Sequence, residues 1–376
     1  MMAQDLAFRF GKKQRRTLVF WFGFLCLPLM PLSFLGSAAA QETARKFSWE
    51  LGPTGSKSSL RGLAAPTDKA IWACGSQATV LRSVDGGNSW ENVSPGGFDE
   101  VEFRSIHAWS ATEACIASAG QPAVILRTDD GGESWQEVFR ADDEAAFFDG
   151  MQFWDEERGI VFSDPVGATM LVLETNDRGA TWATIEPGQL VPVLDGEAGF
   201  AASNSSIAVA SGGRVWIGTG GQTVQESRVH MRTEWEKYWQ AVPCPLESGS
   251  ASGIFSIAMA AKRMVAVGGD YRPDATSKTT AALSDDDGKS WRLVKQPPPA
   301  YRSAVGFLPL QKPVGNRVSQ TESGLWIAVG PSGSDWSVDG DQWQNFSDTG
   351  FHVLAIGETR VFAAGSDGRF AVLKRK

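Results

Sequence analysis

The sequence predicts an all-β protein and, more specifically, a seven-bladed β-propeller built from Asp-box repeats. After residue 40, short apolar runs bounded by Gly, Asp, Asn and Pro recur without a sustained helical period. The 376 residues include 41 Gly, 15 Trp and 21 Phe but only 3 Tyr, which is typical of aromatic strands joined by tight turns. A short turn signature ending in tryptophan also repeats along the chain, and this indicates an array of similar units.

Residues 1–40 have the pattern of an export signal. Basic side chains at positions 12, 13, 15 and 16 precede an apolar run from Thr17 to Leu35, and small residues follow. This order predicts a signal peptide cleaved before Gln41, with Sec export favoured over the twin-arginine route because the run is very apolar. The mature protein would be periplasmic or extracellular. The alternative is an uncleaved segment, which would be the protein's only contact with a membrane.

Cleavage would change the charge and the cysteine content of the protein. Residues 1–40 carry five basic residues and one acidic residue, so the net charge would move from −8 to near −12. An acidic domain without a basic stripe argues against nucleic-acid binding. Cys74, Cys115 and Cys244 would remain, and their wide spacing favours buried thiols over a disulfide framework, although one disulfide stays open.

The repeated signature is an Asp box, which reads Ser-Val-Asp-Gly-Gly-Asn-Ser-Trp at 83–90. Its further copies, the last two of them shortened or degenerate, occupy 128–135, 175–182, 284–291, 337–343 and 233–239. In such a turn the carboxylate accepts hydrogen bonds from turn amides, and the Ser or Thr hydroxyl braces the same turn. The box aspartates are therefore predicted to be structural rather than catalytic: Asp85, Asp130, Asp177, Asp286 and Asp339.

Four strand patterns per repeat match the number of strands in a propeller blade. The last repeat stops without a box, while Phe47–Leu51 resembles the strand that follows the first box. We therefore expect this N-terminal strand to complete the C-terminal blade and close the ring. The predicted propeller domain, 41–376, has blades at approximately 60–93, 104–138, 147–185, 199–242, 254–294, 302–345, and 349–374 plus 46–51.

The repeats resemble the BNR/Asp-box repeats of sialidases and sortilin-type receptors. The chain has seven repeats and sequence segments such as 80–87. In these features, roughly residues 46–374 are similar to the photosystem II stability/assembly factor family. It also resembles secreted bacterial propellers that share the pieces at 147–149, 163–166 and 268–271. The resemblance implies the fold, and it carries no photosystem client over to this chain.

The candidate site is predicted on the rim opposite the Asp boxes. In a four-stranded blade, the start of strand one and the turn between strands two and three lie on that opposite face. Those positions predict the following ligand-binding residues: Arg61, Arg104, Asp149, Asp164, Asp270, Tyr271, Arg302, Asp335 and His352. Guanidinium groups suit a carboxylate, sulfate or phosphate because they donate in a planar fork. The alternative is a structural network in which these side chains pair with one another.

The function predicted first is that of a monomeric, non-catalytic binding or assembly factor. It would hold a peptide, a protein partner or a small anionic ligand at the Arg-rich mouth, without a cofactor. The alternative is a sialidase-like glycoside hydrolase acting on an anionic sugar, with acid–base groups from Asp149, Asp164 or Asp270 and Tyr271 as nucleophile. A missing Phe-Arg-Ile-Pro segment argues against it. No metal site is predicted, because the three histidines lie in different repeats.

Overall fold

The computed structural model describes residues 47–221, 226–235, 238–272, 276–277, 279–310 and 324–375. The predicted signal peptide, 1–40, lies outside these residues. In the described part of the chain, no helix is long and apolar enough to cross a membrane. The strands are β1 (Phe47–Pro53), β2 (Leu60–Ala64), β3 (Ile71–Gly75), β4 (Val80–Ser83), β5 (Glu91–Asn92), β6 (Phe103–Ala108), β7 (Ala114–Ser118), β8 (Val124–Thr128), β9 (Gln136–Arg140), β10 (Phe148–Phe153), β11 (Gly159–Val166), β12 (Thr169–Thr175), β13 (Ala183–Thr184), β14 (Glu197–Ala198), β15 (Ile207–Ala210), β16 (Arg214–Gly218), β17 (Gly220–Gly221), β18 (Glu226–Arg232), β19 (Gln240–Glu247), β20 (Ser252–Ala260), β21 (Arg263–Asp270), β22 (Ala281–Ser284), β23 (Arg292–Leu293), β24 (Ala304–Pro309), β25 (Gly324–Gly330), β26 (Gly333–Ser337), β27 (Gln344–Ser347), β28 (Val353–Ile356), β29 (Val361–Ala364) and β30 (Arg369–Arg375).

Within the described ranges these strands pair into seven antiparallel sheets, which are the blades of a propeller. The sheets are β2-β3-β4-β5, β6-β7-β8-β9, β10-β11-β12-β13, β15-β16-β18-β19, β20-β21-β22-β23 extended by β17 and β14, β24-β25-β26-β27, and β28-β29-β30-β1. The first strands of successive blades contact each other around the ring, and β28 contacts β2. The predicted all-β, seven-bladed fold is therefore confirmed.

The ring closes through the N-terminal strand, as the sequence predicts. Strand β1 pairs antiparallel with β30 along its whole length, from Phe47 opposite Arg375 to Pro53 opposite Arg369. The indole of Trp49 donates a hydrogen bond to Ser334 Oγ in the preceding blade at 3.0 Å. Since β1 and β30 share one sheet, the seventh blade combines the first and last described strands, and β30 has no unpaired edge.

The hydrophobic core lies between neighbouring blades rather than at a single centre. One cluster joins Trp72 and Val80 of the first blade to Phe103 and Ile116 of the second. Burying each such side chain contributes roughly 1.5–3 kcal/mol before the entropy cost of ordering it. Cysteines belong to this core, because Cys74, Cys115 and Cys244 are free and buried. Burial raises the pKa of the Cys115 thiol to about 12.

The Asp box is a closed hydrogen-bonded turn. In the first copy, Ser83 Oγ donates to Asp85 Oδ1 at 2.9 Å and accepts from the Gly87 amide at 2.9 Å. The other Asp85 oxygen accepts from Ser89 Oγ at 2.6 Å. The Ser89 hydroxyl and amide are the main reasons that the pKa of Asp85 falls to about 2. Asp130, Asp177, Asp286 and Asp339 also accept a hydrogen bond from the hydroxyl two residues earlier.

The box tryptophan packs on a neighbouring blade. Trp90 meets Phe370 of the seventh blade edge to face, with ring centroids 4.9 Å apart. Trp135 contacts Trp72 of the first blade and donates its indole hydrogen to the Val93 carbonyl at 2.8 Å. The sequence places these tryptophans at the start of the outer strand. The structure corrects this, since Trp90 precedes β5 by one residue.

The fourth blade departs from the repeat at its degenerate box. Here the guanidinium of Arg232 lies 5.4–5.5 Å from the ring centroids of Trp154, Trp235 and Trp239. It also donates to Glu174 Oε1 at 2.6 Å. Because a buried cation among three indoles is held by charge–quadrupole attraction, this cluster supplies contacts at a turn that lacks the aspartate.

A segment inserted before the fourth blade brings additional residues toward the ring axis. Its short strand β14 pairs with β17, and both extend the sheet of the fifth blade. Glu197, in β14, is held by Arg228, by His230 Nε2 at 2.8 Å and by Thr219 Oγ1 at 2.6 Å. This buried network fixes the start of the segment, and residues 199–202 directly after it line the cavity described next.

Candidate functional site

A cavity of about 400 Å³, which we call the mouth cavity, lies where the first strands of several blades begin. Its lining combines charged and aromatic side chains with small residues of the inserted segment. The lining residues are Arg61, Arg104, Phe147, Asp149, Asp164, Gly199, Phe200, Ala201, Ala202, Phe255, Tyr271, Tyr301, Pro331 and His352. The structure thus brings together six of the nine residues predicted for the site: Arg61, Arg104, Asp149, Asp164, Tyr271 and His352.

Four blades direct a side chain to the mouth cavity from the same backbone irregularity. In β2, β6, β10 and β20 the strand register shifts at the second or, in β20, the fourth residue. The residues at these shifts are Arg61, Arg104, Asp149 and Phe255. A β-bulge inserts one residue into a strand and re-aims its side chain, so a repeated bulge explains why unlike residues from different blades line one cavity.

The two arginines share a single carboxylate. Glu102 Oε2 accepts from Arg104 Nη2 at 2.6 Å, while Glu102 Oε1 lies 3.8 Å from Arg61 Nε. Arg104 also donates to the carbonyl of Ala201 in the inserted segment at 3.1 Å. Burial, together with the nearby charge of Arg104, lowers the pKa of Arg61. Two guanidinium groups beside one carboxylate leave this side of the cavity with a net positive charge. The sequence analysis did not identify Glu102 as part of the site.

Two carboxyl groups form another part of the lining. Asp149 is 1% exposed, and burial followed by the charge of Asp164 raises its pKa well above the ordinary value. Asp164 Oδ1 accepts a hydrogen bond from the Gly199 amide at 2.8 Å. Burial raises the pKa of Asp164 as well. A carboxyl pair of this kind favours protonation of one member and attracts positive charge or N–H donors.

His352 adds no charge to the cavity near neutral pH. Burial, assisted by the charges of Arg61 and Arg104, lowers its pKa to about 4. Its Nε2 is 2.9 Å from Ser366 Oγ. The sequence placed His352 at the mouth with the arginines, and the structure shows that burial and the two guanidinium charges oppose its protonation there. The imidazole is a neutral hydrogen-bonding group.

An aromatic wall completes the cavity. Phe200 and Phe255 stack with ring centroids 4.1 Å apart, and Tyr301 meets Phe255 edge to face at 4.7 Å. Tyr271 lies farther out, 6.1 Å from Phe255, and is 52% exposed. Burial raises the pKa of Tyr301, so its hydroxyl keeps its proton. Apolar walls with a few converging polar groups are the usual composition of a ligand site.

Three predicted residues lie away from the mouth cavity, and the structure corrects their assignment. Arg302 Nε donates to Asp335 Oδ2 at 2.5 Å, and their side chains are 1% and 0% exposed. Arg302 lies two residues before β24, a strand without a register shift, and its guanidinium pairs with β26 of its own blade. Asp270 pairs with Arg272 within a turn instead of facing the cavity. These ion pairs are structural. They agree with the alternative interpretation of the sequence, in which the predicted site residues pair with one another.

Comparison with known proteins agrees with the fold. Residues 40–143 match the family model for the photosynthesis system II assembly factor YCF48. No curated protein matches the sequence. A solved structure of YCF48 bound to a D1 peptide is similar with a TM-score of 0.56 at 16% identity, over 87% of this chain and 95% of that one.

Two further solved structures show the same architecture. YCF48 from Cyanidioschyzon merolae has a TM-score of 0.56 at 17% identity, over 87% of this chain and 98% of that one. The WD40 repeats of RRP9 reach 0.55 at 14% identity, over 88% and 98% of the two chains. Likeness at such low identity establishes the architecture alone. The chain is therefore a seven-bladed β-propeller, and its residues 40–143 are similar to the photosynthesis system II assembly factor YCF48.

Proposed function

We propose that this protein is a non-catalytic binding or assembly factor that holds a carboxylate-bearing peptide segment of a partner protein in the mouth cavity. The observation that carries the proposal is the pair Arg61 and Arg104, which line the cavity and share only Glu102 as a carboxylate partner among the described residues. The solved complex of YCF48 with a D1 peptide supports a peptide as the ligand class.

The chemistry of the cavity suits such a segment. A guanidinium donates through a planar fork that matches a carboxylate, and partial burial strengthens the attraction relative to bulk water. The wall of Phe200, Phe255 and Tyr301 offers apolar surface to the neighbouring side chain of the peptide. A volume of about 400 Å³ accommodates a few side chains but not a folded domain, so the partner would insert an end or a loop.

The proposal is tested with an array of peptides in matched pairs, each pair differing only in carboxylate against amide. One set changes the terminal acid to an amide, and a second changes internal Glu to Gln. We expect the wild-type protein to prefer the acid member at least ten-fold, which is about 1.4 kcal/mol of binding free energy. The Arg61→Ala/Arg104→Ala protein should lose this preference, whereas Arg140→Ala, at an exposed ion pair, should keep it.

Equal binding of acid and amide peptides by the wild-type protein would contradict the proposal. So would an undiminished preference in the double variant, provided that its thermal unfolding matches that of the wild-type protein. Arg104 donates to the Ala201 carbonyl, so Arg104→Lys serves as a milder second variant that keeps a cation in place.

A glycoside hydrolase remains the second candidate, because one observation favours it. Asp149 and Asp164 line the same cavity, and burial raises the pKa of both, as is needed for the one carboxyl group that acts as general acid on a sugar. A hydrolysis screen over anionic glycosides distinguishes the two functions. Turnover that Asp149→Asn abolishes would replace the binding proposal with this one, and absence of turnover over the panel supports the binding proposal.

We also propose that the protein acts after export, on the strength of the basic, apolar and small-residue pattern at 1–40. Sequencing the N-terminus of the protein recovered from its native compartment tests this. A mature chain that begins at Gln41 in the periplasmic or external fraction is the expected result. A full-length chain in the cytoplasm would contradict it, and a full-length chain in the membrane fraction would favour the anchor instead.

A further inference from the structure

Asp149 is a buried carboxyl group that its contacts within the protein do not satisfy. Both of its oxygens are inaccessible to solvent and lack a hydrogen-bond partner among the described residues. Leaving a buried acceptor unpaired costs about 1–3 kcal/mol, and more if the group is charged. Glu197, which is similarly buried at 3% exposure, instead accepts hydrogen bonds from Arg228 and Thr219 and contacts His230.

Neighbouring groups compensate for this burial only in part. The backbone amides of Asp164 and Ala201 and the charge of Arg104 favour the ionised carboxylate, but burial outweighs them and the pKa of Asp149 is still raised. The Arg104 guanidinium itself donates to Glu102 and to the Ala201 carbonyl. The Asp164 amide donates to the Phe147 carbonyl at 3.0 Å. The Asp164 carboxyl adds negative charge rather than a donor. Asp149 lines the mouth cavity, so a donor on a ligand bound there is the group best placed to complete the hydrogen bonding of this carboxyl.

The backbone around Asp149 keeps room for this carboxyl. A Cβ atom on Gly199 would lie 2.5 Å from Asp149 Oδ2, which is closer than van der Waals contact allows. Glycine at 199 thus permits the inserted segment to pass directly against the acid. The bulge at Asp149 turns it toward the cavity from the same position that presents Arg61 and Arg104 in their blades.

We propose that the mouth cavity takes a dipolar ligand group, in which a positively charged nitrogen bonds Asp149 while a carboxylate bonds Arg61 and Arg104. This inference rests on the proposed function for its carboxylate half and adds the cationic half. The ligand class is a peptide segment with a lysine or arginine side chain near a carboxylate. Asp164, beside Asp149, makes the negative pole stronger than one carboxyl could. A bound cation offsets the repulsion between the two carboxylates and therefore binds more favourably.

Three short peptides separate the two halves. The probes are acetylated phenylalanyl-lysyl-alanine with a free carboxylate, the same peptide with norleucine for lysine, and the lysine peptide as its amide. Norleucine keeps most of the apolar stem and removes the cation. Affinities are measured by isothermal titration calorimetry for the wild-type protein, Asp149→Asn, and the exposed control Asp142→Asn, which makes the same chemical change on a surface carboxylate.

We expect the wild-type protein and Asp142→Asn to bind the lysine acid peptide at least ten-fold more tightly than the norleucine peptide. Asp149→Asn should bind the two within two-fold of each other and still prefer the acid over the amide. Equal binding of lysine and norleucine peptides by the wild-type protein would overturn the inference and leave the proposed function standing if the acid is still preferred. Loss of the acid preference in the wild-type protein would overturn both.

The comparison between peptides is made on one protein, so it does not depend on whether a variant folds. For Asp149→Asn, the side chains are nearly the same size, and unchanged near-ultraviolet circular dichroism verifies the fold. A wild-type preference for lysine that Asp149→Asn retains in full would also overturn the inference, because the cation would then bind elsewhere.

Discussion

The two rims of the propeller use the same seven-fold scaffold in opposite ways. On the Asp-box rim, each carboxylate is saturated by the hydroxyls and amides of its own turn, as for Asp85 with Ser83 and Ser89. On the mouth side, Asp149 has no hydrogen-bond partner among the described residues, and Arg61 has only a distant carboxylate. The repeated residues therefore stabilise the blades, while the residues that differ between blades leave bonding capacity for a partner.

Charge distribution separates the rims in the same way. The pKa values of the box aspartates Asp85 and Asp130 are lowered, because hydroxyl and amide groups of their turns donate hydrogen bonds to the ionised carboxylate. Asp149 and Asp164 have raised pKa values because burial penalises the ionised form. A lowered pKa means that folding stabilises the charge, whereas a raised pKa means that the fold tolerates the group at a cost. Such a cost is typical of binding sites.

The largest expected effect comes from deleting strand β1, because this strand closes the ring that carries both rims. Deleting β1, residues 47–53, leaves β30 paired only with β29 and exposes its other edge. We expect an aggregating protein without a cooperative thermal transition, measured by size-exclusion chromatography and differential scanning calorimetry. Trp49→Ala, which keeps the backbone pairing, should instead give a soluble protein with a lower Tm. A soluble deletion variant with the wild-type Tm would show that closure through β1 is dispensable.

A box substitution should affect stability but not binding. Asp85→Ala removes the acceptor for Ser83, Ser89 and two turn amides, and we expect the Tm to fall by several degrees at pH 7. Because the folded pKa of Asp85 is about 2, its stabilisation is complete above the unfolded value near ~4 and is lost as pH falls through about 2. Peptide selectivity should not change. A changed acid-over-amide preference would break the distinction between the rims.

The smallest expected effect is a gain in stability at the mouth. The folded pKa of Asp149 is raised, so the favourable contribution of its protonated form is complete below the unfolded value near ~4 and is lost as pH rises through the folded value. Asp149→Asn removes this pH dependence. Its Tm relative to wild type should therefore be higher at pH 8 than at pH 4, by about 1–3 °C in thermal melts. A relative Tm that falls with pH would refute the buried, unpaired state of Asp149.

Much of the scaffold could be predicted because each blade is encoded by a similar sequence segment. Box turns such as 83–90 and the matching strand Phe47–Leu51 carry local signals, and these predict both the blades and the closure. Part of the site was predictable for the same reason. The start of the first strand is a repeated position, and the sequence therefore pointed to Arg61, Arg104 and Asp149, which the structure places in one cavity.

The remaining part of the site depends on features that a repeat alignment does not show. Arg302 was misassigned because it lies two residues before β24, whereas Arg61 lies at a bulge inside β2, and register shifts leave no clear mark in one sequence. Glu102 lies one residue before β6, and Phe200 belongs to an inserted segment with no counterpart in the other blades. Only tertiary packing brings that segment to the cavity, through contacts such as Arg104 with Ala201.

Hydrogen–deuterium exchange, with and without the tightest acid-ended peptide from the array, shows whether the partner binds at the mouth or at the Asp-box rim. We expect slower exchange in the segments 59–62, 102–105, 147–150 and 199–202, with unchanged exchange in the box turns. Protection confined to the box turns at 83–90 and 128–135, with none at the mouth, would contradict it.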